Sequence, residues 1–245
     1  FEPHPRDYFA RVHHKPDIAP ARIGTLRDKL AELARCGVQQ AVVLPFNDKL
    51  ASLPAQAFID EVLVRGLGAR YVLVGDDFRF GAQRAGDYEL LDRIGQAQGF
   101  EVARMNSYEV HGVRVSSTEV RAALAAGDMA GAERLLGRPY SITGRVQYGD
   151  QIGRTINFPT INVRLSRHKP CLHGIYGVEV ICETASLSDK AAAGNPAQPG
   201  IAGYQPSSLF GAGHVGTRPA IRQAHPEWRL EVHFPDVSAN LYGLL

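Results

Sequence analysis

The chain has 245 residues, 44% hydrophobic and 21% charged, with a formal net charge of +2. This composition suits a soluble globular protein of one or two domains, and so mild and scattered a charge excludes a nucleic-acid partner chosen by charge alone. No run approaches the roughly 18 apolar residues of a membrane span, no secretory leader is visible, and Cys36, Cys171 and Cys182 form no CxxC pair, which points to reduced thiols in a cytosol.

In chain order, residues 22–34 carry Leu26, Leu30, Leu33 and Ala34 at helical spacing. AVVLPF at 41–46 is a short continuous apolar run of the kind that forms a buried parallel strand. Pro54 opens a helix over 55–67, in the place where its missing N–H costs nothing. YVLVG at 71–75 reads as a second buried strand, 87–98 as a helix, and FEVARM at 100–105 as a third strand. Strand, helix, strand, helix, strand predicts a doubly wound α/β domain, in which ligands bind at the carboxyl ends of the strands.

From LLGRPY at 135–140 onward the character changes. ITGRVQYG, INFPTINV, GIYGVEVIC and WRLEVHF are period-two segments separated by Gly, Pro and Asp, which predicts an antiparallel β-barrel. The boundary is expected at 137/138. A segment over 185–213, rich in Ala, Gly, Pro and Ser, reads as a long loop.

Three groups of residues carry chemistry. VGDDFRFG at 74–81 delivers Asp76, Asp77 and Arg79 to the rim of the first sheet, with Phe78 and Phe80 packed beneath. VSSTEVRAAL at 115–124 sets Ser116 three residues before Glu119, the spacing of a capping box. That structural role leaves Ser117, Thr118 and Arg121 over, and hydroxyls with a guanidinium at a helix start make a phosphate site. In the β-rich half, Gly149 and Gly153 flank the loop GDQIGRT, whose backbone N–H groups suit phosphates; there is no P-loop sequence. Glu231 lies in the last β segment. Facing the interior it suits a general base, and facing outward it is a solvated charge. Thr160 and Asn162, beyond Pro159 in GRTINFPTINV, are neutral donors and acceptors on an interrupted strand. Cys36 reads as a buried small residue, His13 and His14 as a polar loop, and HKPCLH at 168–173 as a loop too irregular for a preorganised metal site.

Taken in order, FEPHP, GDDFRFG, AGDYELL, VSSTEVRAAL, LLGRPY, GRTINFPTIN, GIYGVEV, VGTRP and LEVHF…NLYG resemble the prokaryotic bifunctional riboflavin kinase/FAD synthetases across nearly the whole chain. The resemblance implies a Rossmann-like nucleotidyltransferase domain over 1–137, which joins FMN to the AMP part of ATP, and a riboflavin kinase barrel over 138–245, which makes FMN. It implies that Thr160 and Asn162 meet Mg²⁺ and nucleotide phosphates and that Glu231 is the catalytic base. It further implies that Ser116, Ser117, Thr118 and Arg121 form the phosphate-binding helix start of the adenylyltransferase, and that Asp77, Phe78 and Arg79 form its nucleotide-pocket turn. ATP, riboflavin, FMN and FAD are then the small-molecule partners.

In the family a strand and an H-x-G-H loop precede F-x-P-H-P, and a closing helix follows L-Y-G. The expectation from this chain is a piece truncated at both ends, with an incomplete adenylyltransferase site. Other departures are Asn157 and Ile161 in place of Gly and Ala, Pro235 in the last strand, and, at flavin-side positions, His214 in place of Asn and Ala220 in place of Thr. Two readings stand: a Mg²⁺-ATP-dependent transferase, or a non-catalytic flavin- or nucleotide-binding module. An RNA-binding barrel lacks the aromatic pair on a basic strand that stacking requires.

Overall fold

The computed structural model describes residues 1–147, 160–165, 169–181, 208–218 and 227–235. The chain forms two compact units, one of residues 1–20 and 32–119, the other of residues 21–31 and 120–245.

The first unit begins with α1 (Pro5–Val12). The sequence dictates this start: His4 is the N-cap, its Nδ1 accepting from the Arg6 N–H at 3.1 Å, and Pro5 follows in the first turn. Tyr8 on this helix donates its phenol to Asp48 and packs its ring edge-to-face on Phe46 at 5.2 Å. That hydrogen bond holds the Tyr8 phenol above its usual ionisation range. The helix α2 (Leu26–Arg35), divided between the two units at 31/32, realises the first predicted stripe, displaced a few residues. A short α3 (Asp48–Ala51) is capped by Asn47. Pro54 then opens α4 (Ala55–Phe58), which passes directly into a π-helical stretch, Ile59–Gly66, so the predicted 55–67 helix is present but wound in two ways.

Strand β1 (Tyr71–Gly75), helix α5 (Tyr88–Gln98) and strand β2 (Glu101–Met105) follow, and β1 and β2 pair in parallel. Asp87 caps α5 by accepting from the Leu90 N–H, and left-handed Gly99 ends it. Gly95 lets this helix sit close to the chain entering β2, because a Cβ there would lie 2.7 Å from the Phe100 carbonyl oxygen. The core gathers Phe58, Ile59, Val74, Phe80, Leu91, Ile94 and Phe100.

Three expectations fail here. AVVLPF does not form a regular strand: residues 41–44 carry no ladder, and Pro45 makes a single parallel bridge with Glu2. Apolar content favours a strand, but a strand also needs a partner, and the described bonds are limited to Glu2 N–H to Leu44 O and Phe46 N–H to Glu2 O. YVLVG is covered on one face only. Val74 is buried, while Tyr71 and Leu73 are exposed. Cys36 is also exposed, not buried, since it lies past the end of α2.

A two-residue hairpin, β3 (Glu109–Val110) with β4 (Val113–Arg114), leads to α6 (Ser117–Ala125). In the second unit α7 (Met129–Leu136) is capped by Asp128 and closed by left-handed Gly137. Val120, Leu124 and Ala132 pack with Leu165, Cys171, Leu172 and Val215.

The strands β5 (Val146–Gln147), β6 (Thr160–Arg164), β7 (Gly174–Val180), β8 (Leu209–Arg218) and β9 (Glu227–His233) form a five-stranded sheet in the order β5-β6-β9-β8-β7, every pairing antiparallel. One face carries the apolar set Val146, Ile161, Val163 and Val232, with Val178 and Leu230 against it. The loop reading of 185–213 fails at its end, where β8 already runs from Leu209. Glycines disguise it: a Cβ on Gly211 would lie 2.4 Å from the His233 carbonyl oxygen, so glycine there admits the neighbouring backbone.

Candidate functional site

Two groups of polar residues answer to the predicted sites, one in each unit. In the first unit, β1 ends at Gly75 and turns, with the Phe78 N–H bonded to the Gly75 carbonyl. Phe80 is buried in the core and stacks on Phe78 at 5.4 Å, as expected for a turn anchored by aromatics. The acidic and basic side chains above them are held by definite partners. The Asp76 carboxylate accepts from Ser107 Oγ at 2.5 Å and from Arg114 Nη2 at 2.9 Å. Arg114 also lies 3.6 Å from Asp77 Oδ2. Arg79 pairs with Asp87, the cap of α5, at 3.0 Å.

Asp76 therefore joins three segments: the end of β1, the residues after β2, and β4 of the hairpin that feeds α6. The Ser107 hydroxyl, and then the Arg114 charge, hold the Asp76 carboxyl below its usual range. The Leu90 N–H, and then Arg79, do the same for Asp87. Ser107 and Arg114 were not legible as site residues, because their partner lies more than thirty positions away.

Ser116 takes its predicted capping role, its Oγ accepting from the Glu119 N–H at 3.2 Å. Ser117 and Thr118 form the exposed first turn of α6. The Arg121 Nε donates to the Ala21 carbonyl at 2.7 Å, so one edge of its guanidinium serves the fold.

In the second unit the candidate residues lie on the sheet. Asn162 of β6 stands directly opposite Glu231 of β9, and Glu231 opposite His214 of β8. Thr160, two residues from Asn162, stands opposite His233. Directly opposed residues share a face and side chains alternate along a strand, so Thr160, Asn162, Glu231 and His214 occupy one face. The apolar set of Ile161, Val163, Leu230 and Val232 takes the other. Glu231 turns from the apolar set to the face it shares with buried Asn162, where it is half-buried, so it is not the fully solvated charge of the outward reading. Asn162 is 9% exposed, the one buried polar side chain among the described residues, and an oxygen ligand there is well shielded. Gly153, Pro159 and the GDQIGRT loop fall outside the described residues, as do Asn157 and Ala220.

No group of three or more His, Cys, Asp or Glu side chains is placed to hold a metal among the described residues. A cation would instead meet the side-chain oxygens of Thr160 and Asn162. Both are neutral, on the same face of one strand and partly or wholly buried, a donor set that fits a hard ion keeping several of its waters. No helix among the described residues is long and apolar enough to cross a membrane.

Comparison with known proteins also finds two parts in the chain. A family model described as FAD synthetase matches residues 1–119, and one described as riboflavin kinase matches residues 136–244. The bifunctional riboflavin kinase/FMN adenylyltransferase of Escherichia coli K12 is 43% identical over 243 residues, covering 99% of this chain and 69% of that protein. The protein of the same description from Pseudomonas fluorescens is 41% identical over 245 residues, covering 99% and 68%. The one from Haemophilus influenzae is 36% identical over 243 residues, covering 99% and 70%. Among solved structures, a crystal structure from Streptococcus pneumoniae described as a macrolide-efflux protein matches with a TM-score of 0.68 at 26% identity, covering 94% of this chain and 66% of that one.

Proposed function

The chain belongs to the bifunctional riboflavin kinase/FMN adenylyltransferase family, and from that premise we propose how its two groups of polar residues divide the two activities. Residues 138–245 form the riboflavin kinase, closing as a β-barrel, and residues 1–137 form the adenylyltransferase on a doubly wound, Rossmann-like sheet. The observation that carries the kinase assignment is the register of Asn162 opposite Glu231, with Thr160 two residues away on the same face.

In the kinase step the riboflavin 5′-hydroxyl attacks the γ-phosphorus of ATP. A new O–P bond forms, the bond to the β-phosphate oxygen breaks, ADP leaves, and the hydroxyl proton passes to the Glu231 carboxylate. Glu231 lies one strand spacing, about 5 Å, from Asn162, close enough to take that proton while Asn162 and Thr160 hold the phosphate end of the nucleotide. Thr160 and Asn162 would hold Mg²⁺ by their oxygens, and the ion, when bound, supplies the positive charge that these neutral side chains lack. The Gly153 backbone contributes to the same phosphates.

In the adenylyltransferase step an FMN phosphate oxygen attacks the α-phosphorus of ATP and pyrophosphate leaves. Ser116, Ser117, Thr118 and Arg121 bind the phosphates at the start of α6, and Asp77, Phe78 and Arg79 line the nucleotide pocket. Phe78 supplies a stacking surface anchored on Phe80. Dependence on ATP and the free thiols of Cys36 and Cys171 support a cytoplasmic setting. The test is to incubate the chain with riboflavin and Mg²⁺-ATP and to separate FMN and FAD by chromatography. FMN is expected. If neither product forms, the chain is a binding module and not a transferase.

A further inference from the structure

We propose that His214 carries the proton of the kinase step from Glu231 to solvent, an inference that rests on the kinase reading above. Gln147, Asn162, Glu231, His214 and Ile175 form one row of directly opposed residues across β5, β6, β9, β8 and β7. Burial falls along the middle of that row: Asn162 is buried, Glu231 half-buried and His214 exposed. Once Glu231 has taken the riboflavin hydroxyl proton, the next turnover needs the carboxylate back. On the solvent side of Glu231 the row offers an imidazole, a group that takes up and releases a proton near neutral pH. Directly opposed side chains have their Cβ atoms about 5 Å apart, so the ring reaches the carboxylate directly or through one water.

The ring also has a second station. It lies over Gly216, two positions along β8 on the same face, with Cε1 2.5 Å and Nε2 2.8 Å from where a Cβ would sit. A side chain at 216 would fill that space, and glycine opens it. Resting there, the imidazole leaves the Glu231 carboxylate clear for substrate; rotation about its two side-chain bonds returns it to collect the proton. The step balances without a further reactant: the carboxylic acid of Glu231 gives its proton to a ring nitrogen, and the imidazolium gives it to water. The neighbours of His214 narrow the choice of carrier. Across on β7, Ile175 is apolar and 76% exposed. On β9, Arg229 stands opposite Gly216 and His233 opposite Ala212. Arginine keeps its protons, so His233 is the competing carrier among these neighbours. The resemblance implies Asn at 214, and an amide carries no proton.

The experiment follows FMN formation from riboflavin and Mg²⁺-ATP in the whole chain and in its His214→Ala, His214→Asn and His233→Asn variants, both in a single turnover and at steady state. Glu231 still accepts the proton in the His214 variants, so the first FMN per chain should form at the parent rate. Later turnovers wait for that proton to leave, and kcat should fall about tenfold or more, with kcat/KM at the parent value. Imidazole added at fixed pH and ionic strength should restore the turnover of His214→Ala as its concentration rises and leave the parent unchanged. A purely structural role for His214 would show no such rescue. Parent-like steady-state turnover in either His214 variant would overturn the proposal, as would a loss that imidazole does not restore. A first turnover slowed as much as the later ones, or the same signature in His233→Asn, would overturn it too. The two readings separate: FMN from the parent with an unaffected His214→Ala removes the proton carrier and keeps the kinase, whereas no FMN from the parent removes both.

Discussion

At the carboxyl ends of β1 and β2, Asp76, Asp77 and Arg79 are positioned by other side chains: Ser107, Arg114 and Asp87. On β6 and β9, Asn162 and Glu231 are positioned by the ladder to which their own backbones belong. These two ways of holding polar groups have different vulnerabilities. A cluster of half-exposed ion pairs responds to pH and salt and tolerates changes in packing. A ladder is indifferent to both, but it fails when a strand is pushed out of register or away from its neighbour.

The changes that break this comparison can be ranked. Glu231→Gln keeps the size and the register and removes the proton acceptor. Riboflavin kinase turnover should fall by about 10²–10⁴-fold, measured as FMN formed under saturating ATP, while any FAD formed from added FMN continues at the parent rate. Gly211→Ala attacks the ladder. The new Cβ meets the His233 carbonyl at 2.4 Å, and forcing β8 from β9 should cost about 1–3 kcal/mol, read by denaturant unfolding. Gly177→Ala on β7 is its control, because nothing lies within 4 Å of a Cβ there, and it should leave stability unchanged or slightly raised. Ser116→Ala removes the cap of α6 and should cost about 1 kcal/mol. The same variant should lower FAD synthesis from FMN only if the hydroxyl also meets phosphate.

The smallest effect is the most specific to the first unit. Because the folded-state pKa of Asp76 is depressed by Ser107 and Arg114, its contribution is present above the unfolded carboxylate value, about 3.9. It is lost as the pH falls through the lower folded value. Thermal unfolding of the parent and of Asp76→Asn should therefore differ at neutral pH and converge in strong acid. High salt should shrink the neutral-pH difference. A difference that persists unchanged in acid and in salt would mean that Asp76 acts by packing and not by charge.

How far the sequence could be read follows the same divide. Strand β1, helix α5 and strand β2 were legible because hydrophobic period, caps and punctuating glycines all agreed, as with Asp87 before α5 and Gly99 after it. Ser116 was legible as a cap because capping is local. Thr160, Asn162 and Glu231 were named from a resemblance, and their alignment across β6 and β9 was not legible, since register is a relation between strands 69 positions apart for the pair Asn162 and Glu231. AVVLPF misled because apolar content signals a strand without supplying its partner. The start of β8 misled in the opposite sense, because the glycines that let it approach β9 are the residues that usually mark a loop. The pairing of Arg114 with Asp76 depended on a hairpin bringing β4 back to β1, and no local pattern announces that.

The central claim is that Asn162 and Glu231 act as one unit across the β6–β9 ladder. A double-mutant cycle on riboflavin kinase turnover tests it directly, using Asn162→Ala, Glu231→Gln and the two combined. Residues that serve the same transition state are strongly non-additive, so the combined variant should be little slower than the slower single variant. Rate losses that simply multiply would contradict the account, because the two residues would then be neighbours on the sheet without a shared role in the reaction.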